Sequence, residues 1–287
     1  MKTFPAVSPL LQDLDRQGVV AFGHEWDAKV CEAIIDLRSR YTELRNRQRK
    51  LIDYGSLPVQ MAYAFMYVGA NANCLYQVMA SSERASGLSI LSGPEMKVTS
   101  WGGGPGSDLL AIAALLRTSP PDQRPKKIFY RVLDKQPNWH EILLTVARMQ
   151  SGTVDIEVSF EAVDVTMPDQ WSAVSTDMDD MLIMNFFISE VCSLKLAKSV
   201  WDCLSKSLAS LRTGSALVFN DSNAYTFHSY FDDLSGRVGG FATLLSENEQ
   251  LNVAPDFDDF FRQCMGRFDA ATPKLASNAA YRVLLKQ

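Results

Sequence analysis

From Met96 onward, strand-like runs alternate with helical ones, and this alternation restricts the possible folds more than any other feature. MKVTSW precedes DLLAIAALLR, KIFYRVL precedes NWHEILLTVARMQ, and VDIEVSF follows. After a turn-rich interval come DMLIMNFF, the helical ISEVCSLKLAKSVWDCLSKSLASL, and SALVFN. Such a rhythm predicts an α/β fold, a doubly wound and mostly parallel sheet with helices on both faces and right-handed crossovers. Upstream, Val30, Ile34, Leu37 and Tyr41 fall at helical spacing, and Glu25 to about Ser82 reads as helices. Gly55 interrupts this pattern, and Pro58 suits the first turn of a further helix over about 58–80. The end of the chain, MGRFDAATPKLASNAAYRVLLKQ, reads as two strands joined around Thr272 and Pro273. The breakers Gly87, Gly93 and Pro94 place a boundary near 82–95, dividing a helical extension (1–90) from an α/β domain (91–287).

In doubly wound sheets, ligands bind beyond the carboxyl ends of the strands. There, between the first core strand and its helix, the chain reads Gly102-Gly103-Gly104-Pro105-Gly106. Glycine permits positive φ and removes the Cβ that would hold a ligand off the backbone. The helix that follows presents unpaired N–H groups and a positive dipole end, which favour a carboxylate or phosphate. Tight strand–helix packing alone is the competing explanation for so many glycines. A dinucleotide fingerprint needs glycine or alanine where Ser107 stands, so the turn reads instead as GxGxG followed by Ser107 and Asp108.

That spelling resembles motif I of the class I S-adenosylmethionine-dependent methyltransferases, and two acids downstream extend the resemblance. Asp134, with Lys135 beside it, ends the second core strand, where a carboxylate can accept both hydroxyls of a ribose. The interval from Gly102 exceeds the roughly twenty residues usual between such features, the excess lying in the proline-rich loop SPPDQRPKK. Asp164 follows the third strand. The resemblance covers about residues 96–287 and implies a seven-stranded Rossmann-like sheet with an antiparallel C-terminal hairpin and a bound S-adenosyl-L-methionine. It implies that Gly102, Gly103, Gly104, Pro105, Gly106 and Asp108 surround the methionyl end. Asp134 then serves the ribose, Asp164 the adenine amine and Val165 the adenine ring, and Lys135 is a further cofactor-binding residue. The N-terminal residues have no counterpart in the shared core; such extensions in this family often cap the pocket.

Methyl transfer from a sulfonium is an in-line displacement that depends mainly on alignment and exclusion of water. The acceptor is expected to enter near the end of the fourth core strand, where Asn185 and Phe186 are counted among the cofactor-binding residues, Asn185 near the sulfonium. In some members of the family this place carries an Asn-Pro-Pro-aromatic motif; both prolines are missing here, so that specificity is not carried over. Tyr63 and Tyr67 share a helix face and are candidates for a polar lid, with ordinary helix packing as the alternative. His228, beyond the fifth strand, is a candidate base, and Trp139 a candidate flank for the adenine.

A net charge of -5 and a pI near 5.3 disfavour nonspecific nucleic-acid binding, which relies on phosphate neutralisation. RNA stays open as an acceptor only through the basic run Arg45-Asn46-Arg47-Gln48-Arg49-Lys50; a small molecule is preferred. A flavin- or nicotinamide-dependent oxidoreductase and a non-catalytic nucleoside-binding domain are the remaining alternatives. Five cysteines without CxxC spacing and three dispersed histidines offer no metal site, and they fit a cytoplasmic protein. The apolar region Leu57–Ala80 is broken by Gln60, Asn71, Asn73 and Gln77, a poor membrane span, and the first residues lack the apolar core of a signal peptide.

Overall fold

The computed structural model describes residues 2–44, 46, 52–150, 152, 154–192, 197–269 and 271–287. Among the described residues four N-terminal helices come first: α1 (Phe4–Phe22), α2 (Trp26–Thr42), α3 (Leu57–Tyr63) and α4 (Gly69–Ser86), with a π-helical turn at Ala64–Val68 joining the last two. The α/β portion then runs β1 (Glu95–Trp101), α5 (Ser107–Thr118), β2 (Lys127–Asp134), α6 (Trp139–Gln150) and β3 (Asp155–Ala162). It continues through α7 (Pro168–Trp171), β4 (Met181–Asn185), α8 (Ile188–Val191), α9 (Ala197–Ser210), β5 (Ala216–Ser222) and α10 (Tyr225–Val238). The last elements are β6 (Phe241–Asn252), α11 (Asp259–Arg267) and β7 (Ala276–Lys286).

The seven strands lie in the order β3-β2-β1-β4-β5-β7-β6. β1 to β5 are parallel, and β7 runs antiparallel to both of its neighbours. This is the Rossmann-like sheet with an edge hairpin that the resemblance implies. Every residue of β4 is buried, as expected of a central strand covered on both faces. Leu109 to Leu116 of α5 are likewise buried without a break, so the apolar run DLLAIAALL forms a helix packed on all sides. One face of the sheet belongs to an apolar cluster that extends from Phe4 and Leu11 in α1 through Leu75 in α4 to Leu110 and Val283. The other face is closed by Leu204, Leu208, Phe227 and Phe231 of α9 and α10. The helices before residue 90 therefore share a core with the sheet.

The structure departs from the sequence reading in three places. Helix starts at Phe4, ahead of the expected Glu25, because Val7, Leu10, Leu11 and Leu14 line one buried face. The stretch expected as one helix after β4 has a short first part, α8, and resumes as α9, with 193–196 between them outside the described residues. The expected C-terminal strand pair is wrong in its first member. Met265 lies in α11, which Asp258 caps by accepting from the Phe261 amide at 2.9 Å while Phe261 and Cys264 are buried. The partner of β7 is β6, whose polar SENEQLN carries little apolar alternation.

Candidate functional site

A cleft of about 930 Å³, counting its open mouth, lies beyond the carboxyl ends of β1, β2, β3 and β4. The glycine turn forms its floor, and the four glycines turn out to have different reasons. A Cβ on Gly102 would meet the Phe187 ring at 2.4 Å, one on Gly103 would meet Ser100 Oγ at 2.8 Å, and one on Gly106 would meet Leu143 at 2.9 Å. Those three are explained by packing. Gly104 differs: its φ is +50°, and a Cβ there would meet nothing nearer than Trp139 Nε1 at 3.8 Å and Asp134 Oδ2 at 3.9 Å. Its backbone borders the cleft, as does Pro105.

Asp134 stands at the tip of β2 and accepts from the backbone amides of Gly104 at 3.1 Å and Gln136 at 2.9 Å. Burial raises its carboxyl from the ordinary value to about 6, and the amide donors oppose the rise. A carboxylate offers about four lone-pair sites, so two amides leave capacity for ligand hydroxyls. Asp164 is held in a local turn, its Oδ1 accepting from the Thr166 amide at 2.9 Å and hydroxyl at 2.6 Å. Lys135 reaches Asp164 Oδ2 at 3.7 Å across the cleft rim. Val165 lines the same end.

Asn185 and Phe186 form the β4 side. The Asn185 amide is fixed at both ends, donating to Asp108 Oδ1 at 2.7 Å and accepting from Asn220 at 2.7 Å. Phe186 has φ +54°, an unfavourable conformation for a bulky residue and one that recurs at functional sites. Its ring carries the Lys274 ammonium at 4.1 Å from the centroid.

Of the residues singled out from sequence, Gly102, Gly104, Pro105, Asp134, Lys135, Asp164, Val165, Asn185, Phe186 and Tyr63 border the cleft. Gly103 and Gly106 lie behind it. Asp108 is buried with its carboxylate turned inward to Ser100 at 2.5 Å and Ser107 at 3.2 Å, besides Asn185. It braces the turn against β4, and burial raises it to about 6. Tyr67 packs behind Tyr63, its ring 4.7 Å from that of Tyr41. His228 lies 3.8 Å from Asp232 on α10 and does not border the cleft. Trp139, expected beside the adenine, is a wall of the cleft. The basic run at 45–50 lies outside the described residues apart from Asn46.

Sequence reasoning missed Tyr54 and Glu190. Tyr54 precedes Gly55, whose carbonyl accepts from Asn138 at 2.9 Å, and its ring packs 5.5 Å from Trp139. Its hydroxyl donates to Glu190 Oε1 at 3.1 Å; the Tyr41 hydroxyl reaches the same oxygen at 3.3 Å and the Tyr54 hydroxyl at 2.9 Å. Burial is the main cause that raises both phenols well above their ordinary range, with the Glu190 charge adding to it. These partners lie far apart in sequence and no motif spacing joins them.

Strand order, edge hairpin and a cleft over the glycine turn together give the chain a Rossmann-like α/β fold. No family model matches the chain, and no curated protein matches it. Among solved structures it is similar to an S-adenosylmethionine-dependent methyltransferase from Methanosarcina mazei, at 10% identity over 69% of this chain and 94% of that one, with a TM-score of 0.43. It is also similar to the YcgJ protein of Bacillus subtilis (10% identity, 75% and 98% covered, TM-score 0.42). A third is the precorrin-6y C5,15-methyltransferase of Geobacter metallireducens (11% identity, 74% and 88% covered, TM-score 0.39). Among the described residues no helix is long and apolar enough to cross a membrane, and no group of His, Cys, Asp or Glu is arranged to hold a metal.

Proposed function

We propose that the cleft binds S-adenosyl-L-methionine and that the protein is a methyltransferase acting on a small-molecule acceptor. The observation that carries this reading is Gly104, the one turn glycine whose missing side chain faces the cleft, set beside the half-buried carboxylate of Asp134. The donor set fits the group. Backbone at Gly104 and Pro105 approaches an amino-acid carboxylate, Asp134 accepts from ribose hydroxyls, and Asp164 with Val165 meets the adenine. Asn185 and Phe186 border the sulfonium end; Gly102 borders the cleft, and Gly103, Gly106 and Asp108 shape the turn from behind.

When bound, the cofactor supplies a methyl group already activated by its positive charge. The protein's part is alignment and exclusion of water, for which the Tyr54, Tyr63 and Trp139 rings form the cover. In this reading residues 1–90 act as a helical extension that caps the cleft of the 91–287 domain. Five cysteines that form no disulfide with one another agree with a reducing, cytoplasmic compartment.

Calorimetric titration with S-adenosylmethionine and with S-adenosylhomocysteine is the test. Heat from neither, with a correctly folded sample, removes the reading. An RNA acceptor has one point in its favour: the basic run ends beside Leu51, one residue before Ile52, which borders the cleft. RNA affinity that collapses with added salt would favour that alternative.

A further inference from the structure

Outside Gly104 and its two chain neighbours, the three atoms nearest to the place a Gly104 Cβ would take are all polar. They are Trp139 Nε1 at 3.8 Å, Asp134 Oδ2 at 3.9 Å and the Gly102 carbonyl oxygen at 4.0 Å. All three residues border the cleft. The one donor among these atoms, the Trp139 indole N–H, donates no hydrogen bond among the described residues. Yet Trp139 is only 2% exposed, and a shielded indole N–H ordinarily has a partner. The ring cannot easily turn to find one elsewhere, because Tyr54 and Tyr63 pack on it at 5.5 and 5.6 Å between centroids. One turn sets donor and acceptor together. The Gln136 amide donates to Asp134 Oδ1 at 2.9 Å, and the Gln136 carbonyl accepts from the Trp139 amide at 3.1 Å. Asp134 Oδ2 meets the Gly104 amide and keeps a lone pair for a ligand. What suits a place between an N–H and a carboxylate is a group that accepts one hydrogen bond and donates another. A hydroxyl does both, whereas an ionised carboxylate cannot donate and an ammonium cannot accept.

We propose that Trp139 is a specificity residue that reads a ribose hydroxyl: the indole N–H donates to the hydroxyl oxygen, whose own hydrogen goes to Asp134. This rests on the reading of the cleft as a methyl-donor site. It gives Trp139 a part in choosing the ligand as well as in covering it. The N–H fixes the direction of the pair, because an oxygen that accepts from tryptophan must turn its hydrogen toward the carboxylate. A ribose without that hydroxyl strands both protein groups, and an O-methylated ribose has no hydrogen to give.

Three ligands test this by calorimetry: S-adenosylhomocysteine and its 2′-deoxy and 3′-deoxy analogues, each titrated into the unaltered protein and into Trp139→Phe. The substitution keeps an aromatic wall and removes the N–H. The unaltered protein should bind S-adenosylhomocysteine about tenfold or more tightly than one of the analogues, the scale of a hydrogen bond to a charged group. Trp139→Phe should weaken S-adenosylhomocysteine by about two- to tenfold, the scale of a neutral hydrogen bond, and leave that analogue's affinity unchanged. An equal loss for all three ligands makes the ring a wall only and overturns the proposal, as does an unchanged affinity for S-adenosylhomocysteine. In proton spectra of the unaltered protein, one indole N–H signal should move downfield with S-adenosylhomocysteine but not with the discriminated analogue. Absence of any such difference, or equal binding of all three ligands, overturns the proposal whether or not the variant folds. Failure of S-adenosylhomocysteine to bind at all is a different result, since it removes the donor-site reading underneath.

Discussion

The backbone amide of Gly104 donates to the carboxylate of Asp134 at 3.1 Å, tying the turn after β1 to the tip of β2. Two parts of the proposed donor site are thus held against each other by a hydrogen bond within the chain itself. Such prior arrangement lowers the ordering cost of binding.

Gly104 and Gly103 should respond differently to substitution. Gly104→Val puts a branched side chain at φ +50°, facing Asp134 and Trp139. It should abolish binding of the cofactor, with about 1–2 kcal/mol of strain against stability. Gly103→Ala drives a methyl into Ser100 and Val132 and should lower the melting temperature first. Calorimetry and thermal melts on both variants check the contrast; normal affinity in Gly104→Val would count heavily against the donor assignment.

Asp134→Ala should weaken cofactor binding by about 1.5–3 kcal/mol, the range for a hydrogen bond to a charged group. Because burial lifts the Asp134 carboxyl to about 6, affinity in the unaltered protein should fall as pH drops through 6 and the carboxylate is neutralised. A dissociation constant flat from pH 7.5 to 5.5 would mean that another residue holds the ribose.

Stability should follow the opposite trend in the same window. Burial raises Asp108, Asp134 and Asp221 from 3.8 to about 6 in the folded protein. Between those values the native state binds more protons than the unfolded chain, so these groups favour folding increasingly as pH falls from above 6 toward 4. Their penalty is complete above the folded values. Replacing Asp221 with Asn should flatten this rise, as read by melts at pH 7 and pH 5.

Arg267 pairs with both Asp15 and Asp27, at 2.8 and 2.6 Å, and so fastens α11 to α1 and to α2. The pairs are partly shielded from solvent, so Arg267→Met should cost about 1–3 kcal/mol, between exposed and buried pairs. Cofactor affinity should stay within twofold of the unaltered protein. A variant with unchanged melting temperature would remove the clamp from the account.

Legibility in the sequence followed the range of the interactions. Strands β1 to β5 and the turn at 102–106 were readable because periodicity and glycine spacing are local signals. Asp134 and Asp164 could be placed beside the cleft from sequence because one ends β2 and the other comes two residues after β3. β6 was missed because an edge strand needs little apolar alternation, and its polar face hid it. Glu190 and Tyr54 were missed for a different reason. Their roles come from a contact between residues more than a hundred positions apart, and nothing near either residue announces the other. The four glycines likewise look equivalent as letters, and only their surroundings separate Gly104 from the rest.

The placement of β7 between β5 and β6 has a consequence for how the chain assembles. β6 is synthesised earlier, yet it meets the sheet only through a strand made afterwards. Until that strand arrives, β5 is left with an unpaired edge and β6 with no place to go. The growing chain therefore carries an open seam until β7 has been made, the kind of exposure that chaperones recognise and that invites pairing between neighbouring molecules.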